Sequence, residues 1–369
     1  MRASVIIPVY NGAATLKRTI ESFLGQDFDP PGAFELVLCD DGSTDGTGGI
    51  LKGYAGHPQV KVIFSENRGQ SAASNLGARA AAGDILIFSA QDIVPAHPRY
   101  LWGHVQGHLA PKRPLCLTGY IRYPEELLDS EFMISLHFGV HQFDYYNIPD
   151  PGNLDPLKLY APNFSVPRDW FFEVGGFDEE LRYGFQDSEL GVRFHLAGGK
   201  LALAEDLTVF HYHPQSFGAY CRRKRGFGRT FWYFYFKHRR YFETCRVPPW
   251  PLPVILDQSA RVLRKRLLFE RILREILFCQ DRETDLVMDM YYEYSGEIEA
   301  LPPLEGVRAA TRRSYCLLLY YSAILTYCYL QGLAERAGEL GLLAVGNLNL
   351  APLKVEGNGG ELVKIREVG

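Results

Sequence analysis

An acid stands just behind an apolar run: Ile85–Phe88 is followed closely by Gln91 and Asp92. A continuous run of this length suits a strand buried on both faces. In an open α/β sheet, ligands bind just beyond the carboxyl ends of the strands. Asp92 therefore stands where a parallel-sheet enzyme places a carboxylate for a metal ion or a phosphate; the plain alternative is a turn Asp ahead of a Pro-started helix. Three further polar clusters accompany apolar runs in the same way: Pro8–Asn11, Asp40–Asp45 and Asn67–Asn75. One Asp-Asp-Gly-Ser is usually a turn, but four such clusters at strand ends crowd one sheet edge and suit a nucleotide. A carboxylate at Asp41 accepts from a base N–H, while helix N-termini and a hard cation take a diphosphate. Late in the chain, His211 and His213 alternate on an extended segment and share one face, either as structural side chains or as ligands.

These residues need a scaffold, and the spacing supplies one. Ala3–Val9, Phe34–Cys39, Val60–Ser65 and Ile85–Phe88 read as strands. Ala13–Gln26 and Gln70–Ala82 read as helices between them, with Asn11-Gly12 as a turn and Ser43 or Thr44 as a helix cap. Short strand–helix alternation predicts a parallel sheet with right-handed crossovers. Further strands are expected at Leu115–Ile121 and Leu159–Val166, and as two short pieces at Lys200–Ala204 and Leu207–Phe210. Helices are expected at Pro98–Leu109, at Arg168–Val174 and from Gln186-Asp187 to Ala197, with Asp129–Tyr146 as a helix or a loop over a cleft. Val247–Pro253 carries four prolines and marks a boundary, so the domains are expected at 1–245 and 246–369, the second helical with a loose tail.

Composition narrows the classes. The chain has 369 residues, 47% of them hydrophobic, enough for one large or two ordinary domains. A net charge of -4 gives no nucleic-acid footprint. Seven cysteines without a CxxC pair suit reduced thiols in a cytoplasmic protein, and no leader peptide is apparent. Neither GxGxxG nor GxxxxGKS/T occurs, which disfavours a dinucleotide-dependent oxidoreductase and a P-loop NTPase. Tyr315–Leu330 is apolar but interrupted by Ser322, Thr326 and several Tyr, which favours a buried or interfacial helix over a membrane span.

The ordered set Ile6-Ile7-Pro8-Val9-Tyr10-Asn11, Asp40–Asp45, Asn67-Arg68-Gly69 through Asn75-Leu76-Gly77, Gly175–Glu179 and Gln186–Leu190 resembles family 2 glycosyltransferases of the GT-A fold. The resemblance covers roughly Ala3 to Tyr241. It implies a mostly parallel α/β domain that transfers a sugar from a nucleotide-diphosphate donor, usually with inversion, to a glycan or lipid-linked hydroxyl. Pro8, Tyr10 and Asp41 match nucleobase positions, and Asn67, Gly69 and Asn75 match positions lining the nucleotide and ribose. Asp187 matches the general base, with Gln186 where the family has Glu; the plain alternative is a helix N-cap. His211 or His213 matches a late histidine of the metal site, for Mg²⁺ or Mn²⁺.

Departures qualify this expectation. The usual Asp-x-Asp is Ser89-Ala90-Gln91 with Asp92 one place later, as in rhamnosyltransferase-like members with Gln-Asp. Fewer carboxylates predict weaker cation binding, and Gln91 becomes a donor-side residue. A scaffold that binds nucleotide sugar without turnover is the alternative. Phe217–Tyr241 mixes Arg222, Arg223, Lys224 and Arg225 with many aromatics. Arg222 and Arg225 are assigned to the donor diphosphate or an acceptor phosphate, and Lys237–Arg240 suits anionic lipid at the inner membrane face. The helical tail also offers a surface for a homodimer.

Overall fold

The computed structural model describes residues 1–29, 33–109, 114–138, 142–145, 148–182, 184–245, 325, 328–337, 339–340, 353–356 and 364–367. The proline-rich boundary, the helices expected at 254–280 and 283–299 and the first part of the one expected at 308–340 lie outside these residues. The chain divides into two compact units, Met1–Leu127 with Phe143–Pro214 and Leu128–Gln142 with Gln215–Gly369.

The first unit is an α/β sandwich around one mixed sheet. Strands β1 (Ala3–Val9), β2 (Phe34–Asp41), β3 (Val60–Ser65) and β4 (Ile85–Phe88) alternate with helices α1 (Leu16–Leu24), α2 (Thr47–Tyr54) and α3 (Gln70–Ala80). β1 pairs in parallel with both β2 and β4, and β2 in parallel with β3, as the strand–helix alternation requires. β1, β2 and β4 are buried along almost their whole length because both sides are covered, whereas the edge strand β3 is partly exposed. Val5, Ile7 and Val9 pack with Leu16, Ile20 and Phe23 of α1, while Ile6 packs with Val37, Ala73 and Ala78 on the opposite face. Each such side chain contributes ~1.5–3 kcal/mol when fully removed from water.

The second half of the sheet is less regular. After β5 (Ile93–Pro95) and α4 (Tyr100–Gly107) come β6 (Leu115–Arg122), β7 (Phe164–Pro167), α6 (Arg168–Glu173), α7 (Gln186–Leu196) and β8 (Lys200–His211). The sheet order is β3-β2-β1-β4-β7-β6-β8-β5. β6 and β8 are parallel, whereas β7 runs antiparallel to β4 and β6, and β5 antiparallel to β8. Two expectations change here. The strand expected from Leu159 begins at Phe164, because Pro156–Lys158 forms a 3-10 turn ahead of it. The two short strands expected between Lys200 and Phe210 are one, β8, with the irregularity taken up in its pairing to β6.

The second unit contains α5 (Glu131–Phe138), α8 (Phe217–Lys237), the helical residues 328–337 and the antiparallel pair β9 (Leu353–Glu356) and β10 (Lys364–Glu367). α8 is held to residues 328–337 by close backbone approach. A Cβ at Gly228 would meet Tyr329 O at 1.9 Å, and one at Gly332 would meet Arg225 O at 1.9 Å. Trp232 Nε1 donates to Leu333 O at 2.7 Å. These contacts lie within the second compact unit, to which α8 belongs. Among the described residues no helix is long and apolar enough to cross a membrane, and Cys39, Cys116, Cys221, Cys245 and Cys328 are free thiols.

Candidate active site

The parallel register brings the polar clusters to one end of the sheet. Val9 lies opposite Asp40, Asp41 opposite Ser65, and Phe88 opposite Ile6, so the segments that follow β1, β2, β3 and β4 emerge together. Asp92 is placed by the next strand. Ile93 pairs with His211 across β5 and β8, and Tyr212 N donates to Asp92 O at 2.7 Å. This antiparallel pairing sets Asp92 beside two histidines. His213 Nδ1 is 2.9 Å from Asp92 Oδ2, and His211 Nε2 stands 3.5 Å from Asp92 Oδ1. The two imidazoles stack at 5.2 Å between centroids.

The donor set fits a divalent cation. Asp92, His211 and His213 each offer a ligand atom, all within 4.8 Å of one another. Asp92 and His211 are buried, yet Asp92 Oδ1 and His211 Nδ1 have no hydrogen-bond partner among the described residues. A buried polar atom without a partner is costly, which makes such a group a natural ligand. Burial opposes ionisation of Asp92, but the charge of His211 and the bond from His213 outweigh it and hold the carboxyl well below the usual carboxylate range. Ser89, at the end of β4, is also buried with an unpartnered hydroxyl.

The turn after β1 is stitched to its neighbours. Asn11 has a left-handed φ of 50°; its Oδ1 accepts from Thr44 N at 2.8 Å and its N–H donates to Ser43 Oγ at 2.9 Å. Gly12 N donates to Thr47 Oγ1. Ser43 and Thr44, expected to cap α2, are therefore engaged with the β1 turn, and Gly46 stands at the start of α2. Pro8 is half-buried in β1, and Tyr10 is 48% exposed just beyond it. Gln91 does not stand free in this site: its Oε1 accepts from Tyr10 N at 2.8 Å and its Nε2 donates to Tyr10 O at 3.1 Å.

Asp41 is buried and organises the next loop. Its Oδ1 accepts from Arg68 N at 2.8 Å and its Oδ2 from Gly69 N at 2.9 Å. Asn67 is exposed on the same loop. Asn75, expected to line the nucleotide, is buried and engaged elsewhere. Its Oδ1 accepts from Phe177 N at 2.9 Å, and its Nδ2 donates to Phe177 O at 2.9 Å and to Glu179 Oε1 at 3.1 Å. Glu179 also bridges to Arg68 at 3.0 Å. Asn75 thus fixes the Gly176–Glu179 turn against α3.

Asp187 is half-buried in the first turn of α7. Its Oδ1 accepts from Ser188 N at 2.9 Å and its Oδ2 from Ala161 N at 3.2 Å. Phe185, just before it, has a φ of 64°, a conformation that costs ~1–3 kcal/mol for a bulky residue and clusters at functional sites. Gln186 Nε2 donates to Gln70 Oε1 at 3.2 Å. Glu189 is fully buried and paired to Arg193 along α7. A band of rings joins this region to the triad. His211 lies 5.7 Å from Tyr123 and 5.9 Å from Phe143, Phe143 lies 5.2 Å from Tyr160, and Tyr160 immediately precedes the Ala161 that binds Asp187. Burial, with the nearby charges of Asp144 and Asp187 adding to it, raises the Tyr160 phenol.

In the second unit, Arg222 is exposed on α8, and Arg225 is paired with Glu335, its Nε donating at 3.0 Å. The residues not anticipated from sequence were Tyr123, Phe143 and Tyr160, whose only signal is their aromatic enrichment between β6 and β7.

The fold is that of a GT-A-type glycosyltransferase domain, with an Asp/His group at the strand ends. Residues 4–112 match the family model described as Glycosyl transferase family 2, and this domain belongs to that family. The chain is 31% identical over 227 residues to validoxylamine A glucosyltransferase of Streptomyces hygroscopicus subsp. limoneus, covering 55% of this chain and 50% of the relative. It is 30% identical over 263 residues to an uncharacterised glycosyltransferase of Bacillus subtilis, covering 58% and 66%. The matches thus span between half and two thirds of these relatives' lengths. A mannosyltransferase of Pyrobaculum calidifontis, solved in complex with GDP-Man and Mn²⁺, shares the fold with a TM-score of 0.54 at 18% identity, covering 91% of this chain and 86% of that one.

Proposed function

We propose that this glycosyltransferase moves a hexosyl or deoxyhexosyl group with inversion from a UDP- or dTDP-sugar to a hydroxyl of a glycan or lipid-linked acceptor. The observation that carries the reading is the Asp92–His211–His213 group at the strand ends, on the same unit as Asp187. Two imidazoles and one carboxylate suit Mn²⁺ better than Mg²⁺, because magnesium favours an all-oxygen shell. A bound cation supplies positive charge to the departing diphosphate.

The chain's own groups do the rest. Asp187 takes the proton of the acceptor hydroxyl as general base. Asp41 receives the N–H shared by uracil and thymine; its two backbone bonds leave carboxylate lone pairs free to accept. Tyr10 presents an exposed ring to the base. The glucosyltransferase named among the relatives supports a hexosyl donor. Three clustered ligand atoms favour an active enzyme over a donor-binding scaffold, despite Ser89 and Gln91.

Thermal shift with UDP-, dTDP- and GDP-sugars, with and without Mn²⁺, tests the reading, since ligand that binds only the folded state raises the melting temperature. A Mn²⁺-dependent rise with a uridine or thymidine donor, followed by nucleotide release, is the expected result. No shift with any nucleotide sugar overturns it.

A further inference from the structure

Gln91 occupies the place where a metal-binding carboxylate is expected, but its side chain is turned to the main chain of Tyr10. The amide meets both backbone groups of that residue, accepting from N–H at 2.8 Å and donating to C=O at 3.1 Å. β1 ends at Val9, so Tyr10 has no ladder partner, and the Gln91 amide stands in for one peptide of a neighbouring strand. The clamp is itself anchored, because the buried Thr19 of α1 donates its hydroxyl to Gln91 O at 2.9 Å. Room for it is made at Gly12, where a Cβ would come within 2.6 Å of Gln91 Oε1. The turn it closes contains the left-handed Asn11, a conformation that must be held by its surroundings.

We propose that Gln91 is a positioning residue of the donor site and not a cation ligand: it presets Tyr10 through the main chain, and as the residue before Asp92 it ties the base-facing turn to the cation-holding one. This rests on the reading of Tyr10 as donor-facing and Asp92 as cation ligand. An acid at this position would lose the N–H that meets Tyr10 O and set two acceptors against each other.

The test measures Mn²⁺ affinity by calorimetry, UDP affinity in saturating Mn²⁺, and amide exchange at Tyr10, in wild type, Gln91→Ala, Gln91→Glu and Asp92→Asn. Gln91→Ala is expected to weaken UDP about tenfold, keep Mn²⁺ affinity within about threefold, and speed exchange at Tyr10. Gln91→Glu, which keeps one of the two bonds, is expected to fall between and carries the same comparison should the alanine variant not fold. Asp92→Asn is expected to lose Mn²⁺ affinity, and its failure to do so would overturn the cation reading itself. With that control intact, unchanged UDP affinity in both Gln91 variants overturns the positioning role. So does a loss of Mn²⁺ affinity in Gln91→Ala as large as that in Asp92→Asn.

Discussion

His213 Nδ1 sits 2.9 Å from Asp92 Oδ2 although 121 residues separate them in the chain. The pairing of β5 with β8 makes this contact, setting His211 at the end of β8 and His213 just beyond it beside Asp92. A cation site built from one carboxylate and two imidazoles would carry less negative charge than one with two carboxylates and would favour transition ions.

The two histidines are expected to differ when removed. His213 is 45% exposed at its side chain, whereas His211 is 8% exposed and packs against Tyr123 and Phe143. His213→Ala should weaken Mn²⁺ binding at least about tenfold and lower the metal-free melting temperature only modestly, through the lost bond to Asp92. His211→Ala should weaken Mn²⁺ binding too and lower the melting temperature further, because it also removes buried packing. Calorimetry beside thermal melts separates them; equal effects on melting would contradict the packing.

Asp187→Asn keeps one side-chain oxygen to accept from Ala161 N but removes the base. Turnover should fall about 10²–10⁴-fold while UDP affinity in Mn²⁺ stays near wild type. A variant retaining wild-type turnover would return Asp187 to a helix-capping role.

Asn75→Ala leaves the buried N–H and C=O of Phe177 without partners. The expected loss is about 2–4 kcal/mol of stability, read from a urea midpoint. A variant as stable as wild type that instead loses nucleotide affinity would move Asn75 back to the donor wall.

A buried histidine pair is expected to weaken the fold in acid. His104 Nδ1 and His108 Nε2 each lie 2.8 Å from Ser165 Oγ. Burial pulls His104 down to about 3, with His108 adding to it, and pulls His108 down to about 4. Unfolded histidines protonate near about 6.5 while these stay neutral, so the unfolded state binds more protons and stability falls as pH drops from there toward the folded values. Between about pH 7 and pH 5 the loss should be of the order of 2 kcal/mol per histidine. A urea midpoint that is flat over this range, in wild type and His108→Gln alike, would contradict this.

The first four strands were legible because each is a mainly apolar run bounded by turns; Ala3–Val9, Val60–Ser65 and Ile85–Phe88 stand where the runs place them. β5 was not, since three residues ending in Pro95 carry no period. Its pairing with β8 is what joins Asp92 to His211, so the residue types of the metal group were readable but their meeting was not. The engagement of Asn75 and Gln91 with backbone was invisible for a related reason. A side-chain amide that replaces a strand partner looks, in sequence, like one that faces a ligand. The charge of α8 was visible in sequence, whereas the pairing of Arg225 with Glu335, 110 residues away, was not.

Whether a cation at Asp92 supports glycosyl transfer is tested most directly by nucleotide release from the best donor, followed as Mn²⁺ is titrated, in wild type and Asp92→Asn. A saturable Mn²⁺ dependence is expected in wild type, with loss of the Mn²⁺-dependent rate, by about a hundredfold or more, in the variant. A variant that keeps the wild-type titration, or a wild-type rate indifferent to Mn²⁺, would contradict it.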